Sequence, residues 1–328
     1  MRRIAPLALA MAALAAACSG PGEYRDPSPS PSPSPVAAAT LSPSTDPAAL
    51  APTEFRVAFI NLMSPVGLDA NNTVPGDTFD DRLAAVIDEL KAFKPDLVGF
   101  NEATVTKAHG GAAAVLAREL HMEIQYVRAN PWFPGQTRDQ NDALAKQIGF
   151  EEGDVILSRS AFPILRAEPK WLNPRTSETE GRAGFHVVLK GPPSLGDVDV
   201  YITHLTGGGE KIRSQQAQSF ASWVTQTRGG GPLVLMGDIG DLPGTATYAV
   251  FTAAGLTDLA VDGGAGTCCR ESVLGEQPPL TQRTDFLFVA NLPNVPIQLF
   301  ADKPHTRADG SLLYASDHNG LEAVFPLK

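Results

Sequence analysis

From residue 55 onward the chain is a series of short apolar runs, many of them closed by a polar residue. Phe55-Arg56-Val57-Ala58-Phe59-Ile60 reads as a buried strand that ends at Asn61. Leu83, Val86, Ile87, Leu90 and Phe93 recur at helical spacing, with acids ahead of them and Pro95 behind, which predicts a helix over 77–93. The next apolar run, residues 96–100, predicts a strand leading to Glu102. The same reading gives a helix over 111–120 and strands at 122–127, 155–157, 184–189 and 198–203. A helix over 210–228 carries Ile212, Phe220, Trp223 and Val224, and strands at 232–236, 286–289 and 321–325 follow. Residues 130–153 are polar and read as a surface loop with one helical turn. Some strands are joined by helices and others by short polar turns, so the expected class is α/β with mixed sheets.

The first 53 residues break this pattern. Met1-Arg2-Arg3 is a basic start, and residues 4–17 form an apolar run too short for a membrane span, which needs roughly 20 residues. It has the length and flanks of a signal-peptide core. The small residues running up to Cys18 resemble a bacterial lipobox. The expectation is therefore a signal peptide over 1–17, lipidation of Cys18, a Pro/Ser/Ala-rich disordered tether over 18–53 and a folded domain over 54–328. The alternating Pro-Ser stretch from Pro27 to Pro35 favours an extended chain. This places the protein in the cell envelope, lipid-anchored on the extracytoplasmic side, or secreted if the lipobox is not used.

Composition narrows the partners. A chain of 328 residues that is 43% hydrophobic and 19% charged has ample material for one large core. The net charge is −10, and removing Arg2 and Arg3 makes it more acidic. That balance lacks the basic footprint of a tight nucleic-acid binder. A monomer is expected. Cys268 and Cys269 are adjacent and do not make a disulfide framework. Their Cα atoms would lie about 3.8 Å apart across a trans peptide, below the usual disulfide span of roughly 4.4–6.8 Å. Free thiols or a strained, reducible pair are expected over a structural staple.

The chemistry lies at the ends of the apolar runs. Asn61 and Glu102 follow the first two strands, His204 follows 200–203, and Asp238 follows 233–237. Asp285 heads 286–289, and Asp317-His318 precedes 321–325. Such positions open onto a cleft from rigid elements. Carboxylates supply the oxygen ligands that a hard divalent cation prefers. A histidine beside a carboxylate can take a proton from water or give one to a leaving oxygen. The set suits phosphoester hydrolysis, with the cation neutralising charge on the phosphoryl oxygens.

An ordered set of motifs resembles the endonuclease/exonuclease/phosphatase superfamily, whose fold is that of deoxyribonuclease I. Ile60-Asn61 is similar to its strand-then-Asn start, and Asp96-Leu97-Val98-Gly99-Phe100-Asn101-Glu102 to its D-x-x-x-x-Q/N-E element. Glu152-Gly153-Asp154-Val155-Ile156-Leu157-Ser158-Arg159 and Thr203-His204-Leu205 follow in family order. Gly237-Asp238-Ile239-Gly240-Asp241-Leu242-Pro243, Arg283-Thr284-Asp285-Phe286-Leu287-Phe288 and Ser316-Asp317-His318 complete the set. The resemblance implies a four-layer α/β/β/α sandwich of two mixed β-sheets flanked by helices. It implies Glu102 as principal metal ligand with Asn61 and Asp317 nearby. His318, oriented by Asp285, would be general base or phosphate contact, and His204 acid or phosphate clamp. Asp238 would position or deprotonate water, and Asp154 and Asp241 would touch phosphate or substrate. The implied cofactor is Mg2+, with Mn2+ or Ca2+ as alternatives. The implied substrate is a phosphate ester: a nucleic acid, a phospholipid head group or a small phosphodiester.

Gly240 departs from the pattern, because the family carries Asn there. Losing one such donor can lower a rate by on the order of 10²–10³. This keeps open a second reading, a weakened or inactive member that serves as a surface binding or adhesion protein. Trp132-Phe133 is open between stacking on a ligand and core packing. His186 and His305 have no partner readable from the sequence.

Overall fold

The computed structural model describes residues 52–65, 78–133, 135–174, 180–259 and 264–327. The expected signal segment, Cys18 and most of the tether lie outside the described residues. Among those described, no helix is long and apolar enough to cross a membrane.

The domain opens with β1 (Glu54–Asn61), α1 (Phe79–Phe93), β2 (Leu97–Thr106) and α2 (Ala112–Leu120). It continues with β3 (Glu123–Asn130), α3 (Arg138–Ile148), β4 (Phe150–Ser158) and β5 (Ile164–Trp171). Its second half holds β6 (Ala183–Lys190), β7 (Asp197–Thr203), α4 (Glu210–Thr227), β8 (Leu233–Asp238) and α5 (Ala246–Ala253). It closes with β9 (Asp285–Ala290), β10 (Gln298–Phe300) and β11 (Gly320–Pro326). One sheet has the order β10-β11-β1-β2-β4-β3, and a second runs Thr257–Asp258, then β9-β8-β7-β6-β5. Each sheet holds one parallel pair, β1 with β2 and β7 with β8, and every other pairing named here is antiparallel. In both cases a helix makes the crossover that a parallel pair requires.

The apolar runs are explained by burial on both faces of each sheet. Phe55, Val57 and Phe59 point between the sheets, where Val200, Ile202, Val234 and Met236 meet them. Ala58 and Ile60 of the same strand pack beneath α1 and α2. Tyr201, Leu233 and Leu235 face α4 and α5, against Phe220, Trp223 and Phe251. These are the four layers that the resemblance implied.

Four elements escaped the hydrophobic pattern, among them the three-residue strand β10. Helix α3 replaces nearly half of the expected loop, yet it buries only Asn141 and Ala145. It is specified by its start: the Thr137 hydroxyl accepts from Gln140 N, and Gln140 Oε1 accepts from Thr137 N. Strand β5 is an edge strand broken up by Arg166, Glu168, Pro169 and Lys170, the composition that protects an edge from pairing. Helix α5 is short and starts on a Thr245 side-chain cap. His186 gains a partner that the sequence did not show. Its Nε2 lies 2.8 Å from Asp199 Oδ1, and its ring stacks on Tyr201. Trp132 packs beside Trp171, with ring centroids 5.4 Å apart.

The sheets approach closely at Gly99 of β2. A Cβ there would stand 2.0 Å from Met236 Sδ and 3.1 Å from Ile202 Cδ1. Gly99→Ala should therefore lower stability by about 1–3 kcal/mol through overpacking. The urea midpoint should fall at unchanged slope. Combined with Met236→Ala, the loss should be smaller than the sum of the two single losses, because the two sites are in contact. Additive losses would mean that the sheets do not touch there.

Candidate active site

One edge of the sandwich collects the polar strand ends. The parallel strands β1 and β2 of one sheet, and β7 and β8 of the other, finish there. The antiparallel neighbours β9 and β11 start there, with Asp285 opposite Asp238 and Leu321 opposite Phe59. Asn61, Glu102, His204, Asp238, Asp285, Asp317 and His318 thus converge from both sheets across more than 250 residues of sequence.

Asp238 is the hub. Its Oδ2 lies 3.7 Å from His204 Nε2 and 3.7 Å from His318 Nε2, so an imidazole flanks it on each side. Asn61 Nδ2 stands 3.3 Å from the same oxygen. Oδ1 accepts from Gly240 N at 2.8 Å. The Asp238 backbone N–H is taken by Asn101 Oδ1 at 2.9 Å, a bond from one sheet to the other. His318 is oriented through Nδ1, which lies 2.8 Å from Asp285 Oδ2. Asp285 is fully buried, and its N–H donates to Thr267 Oγ1 at 3.1 Å. The turn that carries His318 is tied back by Ser316, whose Oγ donates to Asn61 O at 2.7 Å.

Glu102 forms the second arm. It sits in a β-bulge where the β2–β4 register shifts, with φ of 56°. A non-glycine residue in the left-handed region is strained, and such strain clusters where a side chain is re-aimed. The carboxylate accepts from Ser64 N at 2.7 Å and from Asn61 Nδ2 at 3.1 Å.

Three predicted positions differ from expectation. Asn61 turns its oxygen to Met63 N at 3.0 Å, which leaves its NH2 to bridge Glu102 and Asp238. It stands as a donor between two acids rather than as an oxygen ligand. Asp154 is buried behind the site, where its Oδ1 accepts from Asn101 Nδ2 at 2.6 Å. Asp241 is occupied by Arg213 at 3.2 Å and by Leu242 N at 3.0 Å, not presented to a substrate.

The electrostatics show an excess of acid. Burial, then Asp285, pushes the Asp238 carboxyl up to about 7. Burial raises Asp154 to about 7, and burial with Glu102 raises Glu152 to about 7. Asp317 is raised by burial, with Glu102 adding to the shift. His318 goes the other way for a base: burial opposes its charge, but Asp285, Asp317 and Asp238 together lift it well above the usual imidazole range. His204 is held well below that range by burial, Arg182 and His318.

Crowded carboxylates of this kind fit a cation. Asp238, Asp285 and His318 have ligand atoms within 4.8 Å of one another. That triple is already closed by the His318–Asp285 hydrogen bond. Glu102 and Asp317, both half-buried, repel one another and match the hard-oxygen preference of Mg2+.

No protein-family profile matches the sequence, and a comparison with curated proteins gives no match. Solved structures do match. A Bacteroides thetaiotaomicron endonuclease/exonuclease/phosphatase family protein superposes with TM-score 0.63 at 18% identity, covering 85% of this chain and 100% of that one. The mannosyl-6-phosphatase of the same species gives TM-score 0.61 at 18% identity, over 82% of this chain and 99% of that one. The human nocturnin catalytic domain gives 0.55 at 18%, over 84% and 95%. The chain has the endonuclease/exonuclease/phosphatase fold.

Within that fold, several residues shape the site without any signal in the strand-end pattern. Arg182 Nη1 lies 3.0 Å from His204 Nδ1. Arg82 is fully buried and donates to Leu62 O at 2.8 Å and Met63 O at 3.0 Å, bracing the chain after β1. Burial lowers its pKa to about 10. Arg270 donates to Ser316 O at 3.0 Å and His318 O at 3.1 Å, and so fixes the Asp317-His318 turn. The Thr267-Cys268-Cys269-Arg270 stretch, which carried no role in the sequence reading, therefore supports Asp285 through Thr267 and His318 through Arg270. Cys268 and Cys269 are paired with each other, and Cys269 Sγ lies 3.6 Å from His318 Nε2.

In the metal-free protein the Asp238 carboxyl should titrate near about 7. A nearby cation favours the carboxylate, so saturating Mg2+ should move that midpoint down. Carboxyl 13C NMR of labelled protein reads both values. A midpoint near 4 without metal would contradict the buried, acid-facing environment.

Proposed function

We propose that this chain is a divalent-metal-dependent phosphoester hydrolase acting outside the cytoplasm, most readily on phosphodiesters. The observation that carries the reading is Asp238, a buried carboxylate with an imidazole Nε2 3.7 Å away on each side. Glu102 and Asp317 stand beside it. Burial and Asp285 raise the Asp238 carboxyl above the usual carboxylate range, which strengthens it as a base. Asp238 takes a proton from the attacking water as the water oxygen bonds to phosphorus and the P–O bond to the leaving group breaks, the leaving oxygen taking its proton from solvent. His318, held as an imidazolium by Asp285, turns Nε2–H toward the phosphoryl group and meets its negative charge. Glu102 and Asp317 would hold Mg2+, or Mn2+ or Ca2+, which supplies Lewis-acid polarisation and charge neutralisation when bound. Asn61 keeps Glu102 and Asp238 apart while satisfying both.

Phosphate-ester chemistry is also what the names of similar folds describe, a mannosyl-6-phosphatase among them. Fold does not choose the substrate. The acidic chain favours a small phosphodiester or a lipid head group over duplex nucleic acid, whose tight binders carry a basic surface. The expected lipid anchor at Cys18 would hold the site near the envelope. The domain acts as a monomer in this reading.

Hydrolysis of bis-p-nitrophenyl phosphate with Mg2+ or Mn2+ tests the proposal. Wild type should turn over, EDTA should abolish turnover, and His318→Ala should lower kcat by about 10²–10⁴. A folded, metal-loaded protein with no His318-dependent activity on this ester, plasmid DNA or sphingomyelin would leave the binding-protein reading as the better one. Gly240 supplies a further check. Its φ is 61°, a conformation Asn tolerates better than most residues, and a Cβ there would meet Arg213 Cδ at 3.2 Å. Gly240→Asn should raise kcat and Gly240→Ala should not. Equal effects of the two would show that backbone strain, not the missing amide, governs the position.

A further inference from the structure

We infer that Arg182 is a positioning residue that fixes His204 in its neutral, Nε2-protonated tautomer, so that a hydrogen-bond donor and not a lone pair faces Asp238 and the phosphoryl group. The assignment of that proton to substrate rests on the hydrolase reading above; the tautomer itself does not.

The argument starts from what a guanidinium can do. It has five N–H donors and no acceptor. Arg182 Nη1 lies 3.0 Å from His204 Nδ1, so Nδ1 must offer its lone pair. A neutral imidazole whose Nδ1 accepts carries its proton on Nε2. Nε2 is the atom that stands 3.7 Å from Asp238 Oδ2.

The guanidinium is itself held in place. Nε and Nη2 both reach Glu180 Oε1, at 3.1 and 2.9 Å, and Thr206 Oγ1 donates to the same oxygen at 3.0 Å. With its Nε–Nη2 edge on Glu180, the guanidinium turns Nη1 toward His204. Lys at this position could not do the same, because it lacks the planar fork. The arrangement also separates the two histidines. His318 has a carboxylate on Nδ1, and His204 has a cation there. One is built to be an imidazolium and the other to stay neutral. Placing a second imidazolium across Asp238 would add like-charge repulsion, which the Arg182 contact removes.

The experiment is two-bond 15N–1H correlation NMR of imidazole-labelled, metal-free protein at pH 7.5, with His204 assigned by His204→Gln. Wild type should show a protonated Nε2 and a bare Nδ1 at His204. Arg182→Met should abolish that fixed pattern, giving tautomer averaging or an Nδ1–H form, while His318 keeps its signals. Glu180→Gln, which leaves the guanidinium in place but loosens it, should shift the pattern partway. In turnover of bis-p-nitrophenyl phosphate, Arg182→Met should lower kcat by about 10²–10⁴. Arg182→Lys should fail to rescue it. An Nδ1–H or doubly protonated His204 in wild type, or an unchanged tautomer in both variants, overturns the inference. These NMR outcomes stand whether or not the protein hydrolyses any ester. Absence of turnover with the predicted tautomer intact would therefore count against the proposed function alone.

Discussion

The site depends on a single bond across the gap between the sheets. Asp238 ends a strand of one sheet, and its backbone N–H is received by Asn101 of the other. Because that N–H can be met only by an oxygen, the Asn101 amide is oriented, and its NH2 is sent on to Asp154. Asp154 is thus a buried acid that fixes an amide, which fixes the hub. The close approach at Gly99 is what makes the bond short enough to form. Two residues before Asn101, the chain has no side chain to hold Met236 away. Packing and the candidate site are therefore coupled at adjacent positions on β2 and β8.

Charge organises the rest. The site holds more acid than its buried cations can neutralise, and the cations it does have are placed unequally. Arg82 lies beneath Glu102 and Asp317, while Arg182 stands against His204. Burial penalises every one of these charges, so each must be paired or shifted. Asp285 and His318 pair, Asp238 shifts upward, and Glu102 and Asp317 remain in repulsion at the mouth. An unrelieved repulsion between cleft carboxylates is the condition that binding a divalent ion relieves.

Much of this was legible in the sequence because it is local. Strands buried on both faces write continuous apolar runs, and the polar residue just after or just before a run marks the edge where the candidate site gathers. His204, Asp238, Asp285 and His318 were all found that way, and the ordered motifs implied the four layers. What was not legible depends on contacts distant in sequence. Nothing near Arg182 or Arg270 marks them, since each acts through groups brought to it by the fold. Asp154 and Asp241 carried the right chemistry in the right motifs, but their directions were set by Asn101 and Arg213. Helix α3 is a different case. Its Thr137 to Gln140 capping signal was present in the sequence and was outweighed by the lack of an apolar stripe.

Gly240 takes on a narrower meaning in this structure. The contact that places Asp238 uses the Gly240 backbone N–H, and every residue but proline supplies that. A Gly in place of Asn therefore leaves the contact to Asp238 intact and removes only a side chain. The neighbouring space is taken by Arg213, which is bound to Asp241 and to Thr206 O. Arg213 is a cation held next to the position where the family's amide is missing. Asp241 is thus the acid that holds Arg213 in the space beside Gly240.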